Sequence, residues 1–118
     1  MKYMLLIYSD PAAYANDPSL GEKMMGEYMA FTQGIVDSGE LVSGDPLQGA
    51  ETATCVRHRD GQVGTTDGPF VETKEVLGGY YVVDVKDLDR AIEVAAQIPD
   101  AGTGAVEVRP LMDMERPG

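Results

Sequence analysis

Two short stretches of the chain bring polar, titratable side chains close together. Asp67-Gly68-Pro69-Phe70 runs on into Glu72, Lys74 and Glu75, and Glu107 and Arg109 alternate within the last apolar run. On a loop beside a pocket, Asp67 can act as a base or a hydrogen-bond acceptor. Read locally, the same residues are a turn: Asp bonds the following backbone, Gly permits unusual φ and Pro sets the next φ. Glu72, Lys74 and Glu75 suit a solvated surface with weak ion pairs. His58 and Cys55 are the chain's single histidine and single cysteine. They cannot form a zinc set by themselves, and no carboxylate spacing fits a calcium loop. No glycine-rich phosphate loop or nucleophile elbow occurs. The expectation is therefore a site without metal or cofactor.

Composition narrows the partners. The 118 residues are 43% hydrophobic and 25% charged, close to globular averages, which suits one domain over 1–118. Twenty acidic residues against nine basic ones leave a net charge of −11. That field repels phosphate backbones and anionic bilayers, so neither nucleic acid nor membrane is an expected partner. Met1–Tyr8 is too short an apolar run for a signal peptide and ends at Ser9-Asp10-Pro11. No stretch reaches the ~20 apolar residues of a membrane span. With one cysteine and no intramolecular disulfide, a cytoplasmic location is expected.

The elements that must position these residues follow from periodicity. Residues 2–8 read as a strand with apolar side chains on both faces: Tyr3, Leu5 and Ile7 on one, Met4, Leu6 and Tyr8 on the other. A helix is predicted over 19–38, with Ser19 and Glu22 at capping-box spacing and an alternative start at Asp17-Pro18. Its stripe is Leu20, Met24, Tyr28, Phe31 and Ile35, widened by Met25, Met29 and Val36. Ser38-Gly39 is its stop. A short strand follows from Leu41 to about Pro46. Residues 53–59 and 62–66 form a hairpin across Asp60-Gly61. Residues 67–79 are turn-rich, and 78–85 is another apolar strand. Asp87 caps a second helix carrying Leu88, Ala91, Ile92, Ala95, Ala96 and Ile98 on one face, stopped by Pro99. A loop at 101–104 leads to a final strand, 105–112.

This order is the α+β, ferredoxin-like plan: a sheet with two helices on one face and an inserted β-hairpin. Two helices cover one face only, yet the first strand is apolar on both. A second copy packed sheet to sheet resolves that, so a homodimer is expected. In the last strand, Val106, Val108, Pro110 and Met112 belong under the helices. Glu107 and Arg109 then face the partner sheet, either as a structural ion pair or as ligand contacts.

The run Thr66-Asp67-Gly68-Pro69-Phe70-Val71-Glu72-Thr73-Lys74-Glu75-Val76-Leu77-Gly78-Gly79-Tyr80-Tyr81 resembles the signature of the DGPF branch of the YCII-related family. Lys2–Tyr8, Ile98-Pro99 and Val106–Pro110 are similar to that family as well. The resemblance implies a dimeric α/β barrel, in which two ferredoxin-like sheets close on each other with helices outside. Relatives of that fold include small isomerases, monooxygenases and dehalogenases, and branch members are often associated with alternative sigma factors. The founding branch carries a histidine in its first helix. Here that helix has Met24, Met25 and Met29 instead, which removes histidine-based acid–base chemistry from that position.

Two functions are then in play. The first is a cofactor-free small-molecule enzyme or ligand-binding protein with its pocket inside the dimeric barrel. Asp67, Glu75 and Arg109 are its catalytic candidates, and Tyr8, Phe70, Tyr81 and Glu107 its ligand contacts. One of Tyr80 and Tyr81 must pack under the helices and the other face the barrel. The alternative is a non-catalytic module that senses a ligand or binds a regulator such as a sigma factor.

Overall fold

The computed structural model describes residues 1–71 and 73–114. Strand β1 (Lys2–Ser9) is followed by helices α1 (Pro11–Asn16) and α2 (Leu20–Asp37), then β2 (Leu41–Pro46). Strands β3 (Thr54–Arg59) and β4 (Gln62–Asp67) precede β5 (Val76–Asp84), α3 (Leu88–Ala96) and β6 (Ala105–Pro110). Two 3-10 turns, Ala50–Thr52 and Pro99–Gly102, sit before β3 and before β6. The main sheet has the order β2-β5-β1-β6, antiparallel throughout, as the ferredoxin-like plan requires.

Local chemistry explains most boundaries. Helix α1 is an addition to the two expected helices. Asp10 accepts from the Ala12 N–H at 3.0 Å, and Pro11 sits where its missing N–H costs nothing. At the start of α2, the expected Ser19–Glu22 capping box does not form. The Ser19 hydroxyl instead donates to Asp17 at 2.6 Å, and this bond lowers the Asp17 carboxyl below its ordinary range. Helix α2 ends as predicted. Gly39 adopts φ +78, and the Gly39 and Glu40 N–H groups return to Val36 and Ile35.

The core lies between the sheet and the helices. Tyr3, Leu5 and Ile7 of β1 pack with Phe31 and Ile35 of α2 and with Ala91, Val94 and Ala95 of α3. In α3 the buried stripe is Ala91, Val94, Ala95 and then Ile98, whereas Leu88, Ile92 and Ala96 are exposed. The expected face was rotated by about one position, because Val94 completes an i, i+3, i+4, i+7 set. Met25, Met29 and Val36 are exposed as well, so they do not widen the core. Val106 and Val108 pack on the core from β6; the strand ends at Pro110, leaving Leu111 and Met112 exposed beyond it.

One polar link ties α3 to a distant part of the chain. Arg90 of α3 reaches Glu40 at the head of β2 with two bonds, Nε at 2.9 Å and Nη2 at 2.8 Å. Such a fork joins α3 to the far edge of the sheet. The Arg90 guanidinium draws the Glu40 carboxyl down to about 2 from an ordinary 4.5.

A depressed folded-state value means stability present above the unfolded value and lost as pH falls through the folded one. Wild type should therefore resist urea better than Glu40→Gln at pH 7. That advantage should shrink below pH 4.5 and vanish near pH 2. Denaturation curves of the two proteins at several pH values check this; a gap that stays constant with pH rules it out.

Candidate functional site

All the helices lie on one side of the main sheet. The other side carries Met4, Leu6 and Tyr8 from β1, Tyr80 and Val82 from β5, and Glu107 and Arg109 from β6, as strand alternation and register dictate. At one end of this uncovered face is a hollow of 490 Å³ lined by Tyr8, Lys74, Glu75, Ala105 and Glu107. Strand β1 supplies the phenol, β6 one carboxylate, and the turn before β5 the other. Lys74 stands at the rim, its ammonium 3.7 Å from Asp10. Arg109, two residues beyond Glu107 on the same face, donates to the Glu107 carboxylate and is 70% exposed. Tyr8, Glu75 and Glu107 therefore line one hollow, with Arg109 joined to it through Glu107. A phenol and two carboxylates can hold or move a proton, and the guanidinium fork suits a carboxylate or carbonyl group.

The other candidates lie elsewhere. Strands β3 and β4 make a separate two-stranded sheet across Asp60-Gly61. Asp67 closes β4, paired with Thr54 and exposed, so it does not line the hollow with Glu75. Phe70 is not anchored in apolar surroundings: it is 73% exposed and lies under the Arg57 guanidinium at 5.0 Å. His58 is exposed on the hairpin. Tyr81 points to the helix side. Its ring meets Phe31 edge-on at 5.3 Å, and its hydroxyl shares a 2.6 Å hydrogen bond with Thr32. Gly44 makes room for that ring, since a Cβ there would fall 2.6 Å from Tyr81 Cδ1. Tyr80 is the tyrosine on the uncovered face, donating to Asp45 at 2.8 Å. Glu72 lies outside the described residues.

A larger cleft was not expected from sequence. It measures 870 Å³ and runs between α2 and the β2–β5 edge, with Met25, Met29, Leu47 and Leu77 among its walls. At one end sits Asp100, only 5% exposed and the single buried charged residue among those described. Tyr14 of α1 donates to its Oδ1 at 2.9 Å, and Tyr28 of α2 to its Oδ2 at 2.5 Å. Burial first, then the bond to Asp100, pushes the Tyr14 phenol up to about 12, and the same causes raise Tyr28 further. Ile98-Pro99-Asp100 reads locally as a helix stop. Nothing near it in sequence distinguishes a buried aspartate from a turn aspartate.

Among the described residues, no three His, Cys, Asp or Glu side chains gather as a metal-holding group. No helix there is long and apolar enough to cross a membrane. The YCII-related domain matches residues 1–115, nearly the whole chain. The chain belongs to the YCII-related family. It is also 35% identical over 123 residues to a protein of Rhizobium meliloti (strain 1021) whose name says only that it is uncharacterised. That similarity covers 100% of this chain and 97% of the relative.

For this YCII-related domain, the Asp100 cluster gives a direct spectroscopic expectation. Ultraviolet titration should show three tyrosines ionising late, Tyr80 through its bond to Asp45 and the cluster pair Tyr14 and Tyr28, with Tyr14 near 12. Asp100→Asn should lower the Tyr14 and Tyr28 values only in part, since burial, the larger cause, remains. It should also lower stability by roughly 2 kcal/mol, a charged acceptor being replaced by a neutral one. Values for these two tyrosines that do not move at all in Asp100→Asn would show that burial alone is responsible.

Proposed function

We propose that this protein is a homodimer of the DGPF branch that binds or transforms a small organic molecule without a cofactor. Its pocket is the hollow of Tyr8, Glu75 and Glu107, closed by the second copy. The observation that carries this reading is the helix-free sheet face, where half-buried Met4 and Leu6 adjoin a phenol, two carboxylates and a guanidinium. Apolar sheet surface of this kind is stable when another sheet covers it. The shape of one chain agrees: it extends 50 × 47 × 19 Å, the thickness of one sheet and one helix layer. Its radius of gyration is 16.5 Å, against about 13.5 Å for a compact domain of this length. The β3–β4 hairpin supports the same conclusion. A lone two-stranded hairpin is marginal in water, and Val56, Val63 and Phe70 on and beside it are exposed. A second copy gives these side chains something to pack against.

Within the closed pocket, Glu75 and Tyr8 would serve proton transfer, and Arg109 would hold a carbonyl or carboxylate group against Glu107. Enclosure strengthens each of these interactions by excluding water. Asp67 and Phe70 are not part of this pocket within one chain.

Sedimentation at micromolar concentration should show a dimer, and a clean monomer would end the proposal. Screening small carboxylates and ketones by ligand-detected NMR should give binders to the wild-type dimer. Arg109→Ala should remain dimeric and lose them. If that variant instead dissociates, Arg109 is an assembly residue and the pocket assignment is wrong.

A further inference from the structure

We propose that the cleft between α2 and the β2–β5 edge is a second ligand site, built for an organic cation: an alkyl or aryl ammonium with an apolar body. At 870 Å³ it has the size of a small-molecule pocket, and its walls are mostly apolar. It lies on the helix side of the sheet, away from the hollow of Tyr8, Glu75 and Glu107, so neither site requires the other.

The charge of the lining selects the ligand. Among the described residues its carboxylic acids are Asp45, Glu51 and Asp100, and none of the lining is lysine, arginine or histidine. Asp45 has its carboxylate turned to the opposite sheet face, where Tyr80 engages it. Buried Asp100 and exposed Glu51 therefore set the sign, in a molecule already carrying −11. An anionic ligand would meet only like charge there.

Hydrogen-bond polarity points the same way. Tyr14 and Tyr28 each spend their one phenolic hydrogen on Asp100. The pair then offers the cleft oxygen lone pairs and no donors. A carboxylate flanked by two such phenols is an acceptor-only cluster, complementary to a group rich in N–H donors. Buried carboxylate and aromatic faces both favour an ammonium, the faces through their negative quadrupole. The apolar body has its own wall. Met25 and Met29 are exposed on α2, contribute nothing to the core, and face the cleft with Leu47 and Leu77. Flexible thioether side chains adapt to ligands of irregular shape.

Three probes of one shape test this: 4-phenylbutylamine, 4-phenylbutanol and 4-phenylbutyrate, titrated into the full-length protein by calorimetry at pH 7. The amine should bind at least tenfold more tightly than the alcohol, and the carboxylate should bind most weakly. Carbon-13 methionine methyl spectra should place the amine at Met25 and Met29 and leave Met4, on the opposite face, unshifted. Glu51→Gln, an exposed substitution that leaves the core intact, should weaken the amine several-fold and leave the alcohol unchanged. Asp100→Asn should weaken it further where its melting curve shows a folded protein. Equal affinity for amine and alcohol, tighter binding of the carboxylate, shifts confined to Met4, or no binding of the amine would each overturn the proposal.

Discussion

Strand β1 is hydrogen-bonded along both edges, to β5 and to β6, and its side chains are apolar on both faces. Everything else in the molecule answers to that arrangement. Leu5, fully buried at its centre, takes its partners from α2 and α3 on one side. The same strand presents Met4, Leu6 and Tyr8 on the other, where none of the described helices packs. A one-residue slip of β1 would exchange the two sets, so its register holds the core and the uncovered face together.

From this centre the two cavities acquire opposite characters. The hollow on the uncovered face mixes signs, with Glu75 and Glu107 set against Lys74 and Arg109. Among the described residues the charged groups of the helix-side cleft are all carboxylates, and both oxygens of the buried one accept from phenols. Asp100 also ties three separate elements together, since Tyr14 belongs to α1, Tyr28 to α2, and Asp100 to the turn before β6. A buried carboxylate with both oxygens bonded costs little and orients what surrounds it. The Glu40–Arg90 fork does similar work at the opposite edge, where α3 is held to β2.

Much of the fold was legible because its signals are local. Asp60-Gly61 specifies a two-residue hairpin turn by backbone preference alone, Gly39 ends α2 by its left-handed φ, and Asp87 caps α3 by bonding the Arg90 N–H at 2.9 Å. Alternation in β6 correctly separated Val106 and Val108 from Glu107 and Arg109. The misses were also local in kind. The Asp10–Pro11 cap started a six-residue helix too short to show a periodic stripe. In α3, alanines on both faces weaken the contrast between them, and packing buries Val94 in place of Leu88 and Ile92.

By itself the sequence determined the order of elements, their turns and caps, and which side chains share a strand face, because these depend on neighbours within a few residues. It also determined the strong negative charge and the family. Only the tertiary structure decided that Glu75 meets Tyr8 and Glu107 while Asp67 and Phe70 go with the hairpin. Only it resolved Tyr81 to the helix side and Tyr80 to the other. The Asp100 cluster shows the physical reason most plainly. Its members are 86 and 72 residues apart along the chain. A carboxylate's burial depends on which distant hydroxyls arrive to satisfy it, and no pattern local to Asp100 carries that information.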